Sequence, residues 1–193
     1  KVDKYDLAKN SFYELIGDAS SPYRDDAIFY NSYILFLEDK TELALSGFRS
    51  LRNSKKYIKQ VPYYISKILF ESNKYNELSS YLEPILDSNR CDHYKDLVLF
   101  QAKALYQTEK YNPAIVYFEE YKELKDTLTR SQLYQMGLAS YHKGLYGFSI
   151  NHLNKIILYK DDSLSQSACY YLGDSYRKTQ NRLEATNAFR SAS

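Results

Sequence analysis

The sequence predicts an all-α solenoid of antiparallel helix pairs, and three observations carry that prediction. The first is a sixfold pattern in which a small residue is followed at i+4 and i+7 by apolar ones. Its instances are Ala8/Phe12/Leu15, Ala44/Phe48/Leu51, Leu78/Leu82/Ile85, Ala114/Phe118/Tyr121, Ser149/Leu153/Ile156 and Ala185/Phe189/Ala192, with Leu78 and Ala192 as imperfect members. Successive first members are 36, 34, 36, 35 and 36 residues apart, a period that marks a repeat architecture. The second is a companion series of small residues twelve positions upstream: Ser32, Ser66, Ala102, Gly137 and Gly173. Each pair of small residues defines one helix–turn–helix unit in which two helices approach closely. The third is the scarcity of breakers, 6 Gly and 4 Pro, as expected for helices joined by short turns.

In chain order, the first helix is predicted over 3–17, around Ala8. The second, 22–38, opens where Ser20 and Ser21 precede Pro22, a capping residue before a first-turn proline. It carries Ser32 and pairs with 41–53 around Ala44. Helix 57–72 carries Ser66, and Pro62 inside it marks either a late start or a kink. Helix 75–88 starts at Tyr75 and holds Leu78, with Pro84 in its interior. Helix 93–108 carries Ala102 and pairs with 111–125, whose early Pro113 costs no helical hydrogen bond. Helices 130–143 around Gly137, 146–159 around Ser149, 163–178 around Gly173 and 182–193 around Ala185 complete the series. Tyr precedes the small residue by three places in four second helices, at Tyr5, Tyr75, Tyr111 and Tyr146, while Thr41 and Arg182 break that rule. Residues 1–193 thus read as one right-handed superhelical solenoid of about five and a half pairs. With no polar capping helix at either end, the chain reads as a segment of a longer repeat protein.

This spacing resembles the tetratricopeptide repeat (TPR), whose pattern is W-x2-L-G-x2-Y, then A-x3-F, then P. The best match is Cys169-Tyr170-Tyr171-Leu172-Gly173-Asp174-Ser175-Tyr176 followed by Ala185, Phe189 and Ala192; next is Leu133-x2-Met136-Gly137, with Gly144 in the turn. The earlier units depart from the pattern, with Ser at Ser32 and Ser66, no Trp and no closing Pro. The Asn-, Lys- and Tyr-rich composition is similar to that of long bacterial TPR proteins, many of them exported.

Charge and motifs narrow the function. The net charge of +2 supplies no field for steering nucleic acid. No stretch approaches the roughly 18 apolar residues of a membrane span, so no membrane insertion is expected. Cys91 and Cys169 lie in different repeats, too far apart to expect a bridge. Cys91-Asp92-His93 offers two potential metal ligands without the second cluster a zinc site needs, so it reads as a polar turn. His142 and His152 have no nucleophile at a meaningful spacing. Glu119-Glu120 and Asp161-Asp162 point in different directions on a helix or sit in turns. No phosphate-loop, dinucleotide or zinc-protease string occurs. The expectation is a protein without catalysis, cofactor or metal.

The 22 Tyr and 9 Phe carry more information. Taking the residues three before, one after and four after each first-helix small residue selects one helical face. It reads Phe29/Tyr33/Phe36, Tyr63/Lys67/Phe70, Leu99/Lys103/Tyr106, Tyr134/Leu138/Tyr141 and Tyr170/Asp174/Arg177. The resemblance implies that this face lines the concave groove. The candidate partner-binding residues are then Phe29, Tyr33, Phe36, Tyr63, Lys67, Phe70, Lys103, Tyr106, Tyr134, Tyr141, Tyr170 and Arg177. Tyr gives rigid contact area with a hydroxyl, and Lys67 and Lys103 favour an acidic or C-terminal group. The same rings have another reading, in which aromatic residues of neighbouring first helices pack on one another as core. The Lys and Asn clamp by which some TPR proteins hold a chaperone's C-terminal carboxylate is absent, since no Asn occurs among the fifteen.

Two function classes follow. One is a non-catalytic scaffold binding a peptide or partner protein in the groove; the other is a spacer in a bacterial cell-envelope protein, with no groove ligand. Base-by-base nucleic-acid reading by helical repeats requires polar side chains where this row is aromatic, so no nucleic-acid partner is expected.

Overall fold

A computed structural model describes residues 2–88, 91–125, 127–157 and 162–192, without the side chains of 2–7. The readings that involve the Tyr5 side chain and Asp161 lie outside the described residues. Among the described residues there are eleven helices and no strand: α1 (Val2–Gly17), α2 (Arg24–Leu37), α3 (Thr41–Ser50), α4 (Val61–Glu71), α5 (Tyr75–Ser88), α6 (Tyr94–Gln107), α7 (Tyr111–Glu123), α8 (Arg130–His142), α9 (Tyr146–Ile157), α10 (Ser163–Lys178) and α11 (Arg182–Ser191). The chain divides into two compact units, Lys1–Phe100 and Gln101–Ser193.

The repeat is clearest in the turns inside each helix pair. Asp39, Asn73, Glu109, Gly144 and Gln180 all have positive φ, between 56° and 73°, and each lies five residues before a second-helix small residue. Each closes the preceding helix in the same way. Its N–H donates to the carbonyl three residues back, as Asp39 does to Phe36 at 3.1 Å and Gly144 to Tyr141 at 2.9 Å. The next residue's N–H reaches five back, as Lys40 does to Leu35 and Lys110 to Leu105, both at 2.9 Å. This is the Schellman closure, which satisfies the last carbonyls of a helix through a left-handed residue. The same turn then starts the second helix, whose small residue donates back to it: Ala44 to Lys40 at 3.0 Å, Ala114 to Lys110 at 3.1 Å.

Helix starts are set locally. Thr129 forms a capping box with Gln132 at α8, and Asp162 and Asn181 accept from the N–H groups of Ser165 and Glu184 at α10 and α11. At α4 the helix begins at Val61 rather than 57, because Pro62 fits only the first turn. Residues 54–60 form successive turns instead, and they bury Tyr57. Pro84 stays within α5 on its exposed side.

In unit 1 the apolar pattern goes inward: Ala44, Phe48, Leu51, Leu78 and Leu82 are all essentially inaccessible. Leu86 rather than Ile85 completes the α5 set, one position further along the same helical face. In unit 2, Ala114, Phe118 and Tyr121 are buried, and Leu153 and Ile156 join Ala168, Leu172 and Ala188 in one cluster. The small residues sit where helices touch. A Cβ on Gly137 would stand 2.6 Å from Leu153, one on Gly173 2.8 Å from Phe189, and one on Gly47 2.0 Å from the Ser32 hydroxyl.

Candidate functional site

The first-helix face divides between the two units. In unit 1 it comprises Phe29, Tyr33 and Phe36 of α2 and Tyr63, Lys67 and Phe70 of α4. Phe29 is buried, its ring stacked on Tyr57 at 4.3 Å and edge-on to Phe48 at 5.8 Å. Tyr33 is 37% exposed. The Lys67 ammonium lies 5.2 Å from the centre of the Phe36 ring, a cation–π pair. Tyr63 packs on His93 at 4.5 Å, so His93 serves as an aromatic neighbour in the turn before α6. Phe70 meets Phe100 at 5.4 Å.

In unit 2 the face comprises Lys103 and Tyr106 of α6, Tyr134 and Tyr141 of α8, and Tyr170 and Arg177 of α10. Lys103 is half-buried, and that burial pushes its ammonium pKa down. Burial, with Tyr134, Tyr111 and Tyr171 nearby, moves the Tyr106 phenol up to about 12. The Tyr141 hydroxyl donates to Asp174 at 2.7 Å, and this bond together with burial moves its pKa to about 12. Burial works to raise the Asp174 carboxyl, yet the bonds from Tyr141 and Arg177 hold it below its usual range. Arg177 donates to the same carboxylate through Nε at 2.8 Å and keeps most of its side chain in solvent. Tyr170 is 56% exposed beside Phe189, 6.0 Å between ring centres.

A further register, two residues before each first-helix small residue, holds the rings that link these side chains: Tyr30, Tyr64, Phe100 and Tyr171, with Gln135 the exception. Tyr64 stands edge-on to Phe29 and Tyr33 at 5.5 and 5.7 Å. Tyr171 does the same to Tyr141 at 5.1 Å. Tyr64, Phe100 and Tyr171 each pack against rings of the preceding repeat's face. The recurrence of a ring at four of these five positions is present in the sequence, and it falls outside the first-helix row given above.

Other chemistry is sparse among the described residues. No group of three or more His, Cys, Asp or Glu converges as metal ligands, and no helix is long and apolar enough to cross a membrane. Cys91 and Cys169 form no disulfide.

No family model matches the chain, and no curated protein matches it. Solved structures do. YrrB, described as a TPR protein with an unusual peptide-binding site, gives a TM-score of 0.73 at 18% identity, covering 94% of this chain and 90% of its own. MamA from Desulfovibrio magneticus RS-1, residue 41 to its end, gives 0.69 at 14% identity over 87% and 92%. MamA AMB-1 gives 0.72 at 13% identity over 88% and 90%. Identities this low speak for the fold alone, and the fold they share with the repeated turns and small-residue contacts above is the tetratricopeptide-repeat-like helical solenoid.

Proposed function

We propose that this chain is a non-catalytic interaction scaffold that binds a peptide or partner protein through its first-helix face. The observation that carries this reading is the surface that inter-repeat packing leaves over: Tyr33, the Lys67–Phe36 pair, Tyr170 and the Arg177 guanidinium remain accessible on one side of their helices. These are side chains with large rigid contact area or a fixed charge, the types that dominate binding energy at interfaces. Lys67 and Arg177 favour a partner with acidic side chains or a free C-terminal carboxylate. The TPR fold shared with YrrB, itself described as having a peptide-binding site, supports the assignment. Phe29, buried in its own unit, contributes by holding Tyr64 and Tyr33 in place rather than by direct contact.

The test is selection of a binding peptide from a random displayed library, followed by affinity measurement on variants. Lys67→Glu and Tyr170→Ala should each weaken capture at least about tenfold, the scale of one charge-assisted hydrogen bond or one ring buried on binding, with melting temperature nearly unchanged. Binding indifferent to both changes would remove the face as the site.

A second reading is favoured by the linking rings. Tyr64, Phe100 and Tyr171 consume much of the row in packing between repeats, which suits a spacer that sets distance and has no groove ligand. Failure of the library to yield any peptide sensitive to these residues would favour it.

A further inference from the structure

Unit 2 holds a cavity of about 490 Å³ built on the second helices and the connection after α7, outside the first-helix row. Its walls include Lys122 of α7, Lys125 and Leu128 of the connection, Leu133 of α8, and His152 and Lys155 of α9. His152 is 2% exposed. Its Nδ1 lies 2.8 Å from the carbonyl oxygen of Phe148. That oxygen can only accept, so Nδ1 carries the proton and Nε2 of the neutral ring is a bare lone pair. Nε2 is buried and makes no hydrogen bond. Glu119 of α7 is 3.5 Å away through Oε1, and its other oxygen accepts from Lys122 at 2.5 Å. Lys122, Lys125 and Lys155 thus line the cavity, and Glu119 stands beside a buried imidazole whose second nitrogen is unsatisfied. Such an atom calls for an explanation.

We propose that this cavity binds an oxyanion of the phosphate or sulfate type between Lys122, Lys125 and Lys155, and that its binding draws a proton from solvent onto Nε2 of His152. Without the anion, burial holds the imidazole below its ordinary range, and Lys122 and Lys155 push the same way. The Phe148 carbonyl and Glu119 act in the opposite direction. A bound dianion offsets the two lysine charges, so the imidazolium becomes accessible and its Nε2–H gains the anion or Glu119 as acceptor. The sign follows by linkage: a site that takes up a proton on binding binds more tightly as pH falls. The leucines wall one side, so the group carrying the oxyanion enters with an apolar flank. This site uses none of the residues assigned to the partner-binding face, so its fate is independent of that reading.

The experiment is calorimetric titration of the intact chain with sulfate, a dianion across the whole pH range, at constant ionic strength, with NMR detection of the His152 ring. Saturable binding should be several-fold tighter near pH ~5.5 than near pH ~8, and the His152 titration should move to higher pH with sulfate present. Lys122→Gln with Lys155→Gln should weaken binding about tenfold or more, while the corresponding Lys→Arg pair retains it; these side chains are exposed, so the fold is not at stake. Absence of saturable binding overturns the proposal. So does binding that survives the Gln pair, or a His152 titration that ignores sulfate. A phosphoserine peptide, its unphosphorylated twin and inorganic phosphate then separate the sources. Preference for the phosphopeptide identifies a partner-borne group, and equal or tighter binding of inorganic phosphate identifies the free ion.

Discussion

The two units meet the same packing requirement with opposite assignments. In unit 2 the first helix carries the glycine and the second supplies bulk, with Gly137 against Leu153 and Gly173 against Phe189. In unit 1 the first helix carries Ser32, and the glycine has moved to the second helix at Gly47. Ser32 keeps its own hydroxyl satisfied by donating to the Ile28 carbonyl at 2.6 Å. At these three crossings one residue has no side chain, and either helix supplies it. A repeat pattern fixed on the first-helix glycine sees unit 1 as degenerate, although a Cβ at Gly47 would collide there just as one at Gly137 or Gly173 would.

The largest expected effect is at a position both units treat alike. Ala114, fully buried like Ala44, should not tolerate charge. Ala114→Asp should destabilise by roughly 3 kcal/mol or more through overfilling and an unpaired buried carboxylate. A melting temperature within a degree or two of the parent would show that the register is misassigned.

The comparison itself is tested by glycine replacement. Gly137→Ala drives a methyl to within 2.6 Å of the fully buried Leu153 side chain and should cost about 1–3 kcal/mol. Gly47→Ala meets only atoms of Ser32, so Ser32→Gly in the same chain should recover most of the loss. That double variant converts unit 1 to the arrangement of unit 2. A denaturation midpoint no better than that of Gly47→Ala alone would mean the two residues do not share one crossing.

These contrasts also mark what was legible. The helices fall within a few residues of the sequence expectation, because a 34–36 residue period averages over local ambiguity. The α4 start at Val61 was one of the two outcomes Pro62 allowed. Of the left-handed turn residues, the sequence expectation singled out only Gly144, although Asn73 and Asp39 are also of types that visit this region. Glu109 and Gln180 have no intrinsic preference for positive φ, and the Schellman bonds from neighbouring residues hold them there. The linking rings at Tyr64, Phe100 and Tyr171 were missed for a different reason. Sequence periodicity says which side of a helix a residue occupies, but it does not say how far a neighbouring repeat's ring reaches across that side.

The turns supply a smaller, cleaner effect. Gly144 has open space around a would-be Cβ, so Gly144→Glu should cost only the left-handed backbone penalty, about 1 kcal/mol. The reverse change, Glu109→Gly, removes that penalty at the equivalent turn and should stabilise by about 0.5–1 kcal/mol, net of the greater freedom of glycine in the unfolded chain. Equal and opposite shifts in chemical denaturation would confirm that one turn geometry serves both. No change at Glu109 would mean that its neighbours, rather than its own φ, set the stability of that turn.

The smallest effect concerns ion pairs between repeats, and it separates the units by geometry. In unit 1, Lys56 reaches Asp26 at 2.6 Å with the Tyr57 hydroxyl at 2.8 Å. In unit 2, Arg130 grips both oxygens of Asp162 at 2.7 and 2.9 Å and also donates to Ser165 at 2.6 Å. Both carboxyls are held below their ordinary range, Asp26 first by Lys56 and Asp162 first by Arg130. A carboxyl whose folded pKa lies below its unfolded one contributes stability in full above about pH 4, and loses it as pH falls through the folded value. Asp162→Asn keeps an oxygen to cap α10 while deleting the charge, so it isolates this contribution. Acid unfolding followed by circular dichroism should show a shallower loss of stability below pH ~4 in Asp162→Asn than in the parent, with a weaker change in Asp26→Asn. Lys56 also reaches both Asp26 oxygens, at 2.6 and 2.8 Å, but from a single rotatable nitrogen, whereas the planar guanidinium presents two N–H groups in a fixed fork. An equal response at the two sites would mean that solvent screening has levelled them, as exposed pairs tend to be levelled, and that the bidentate geometry confers no advantage here.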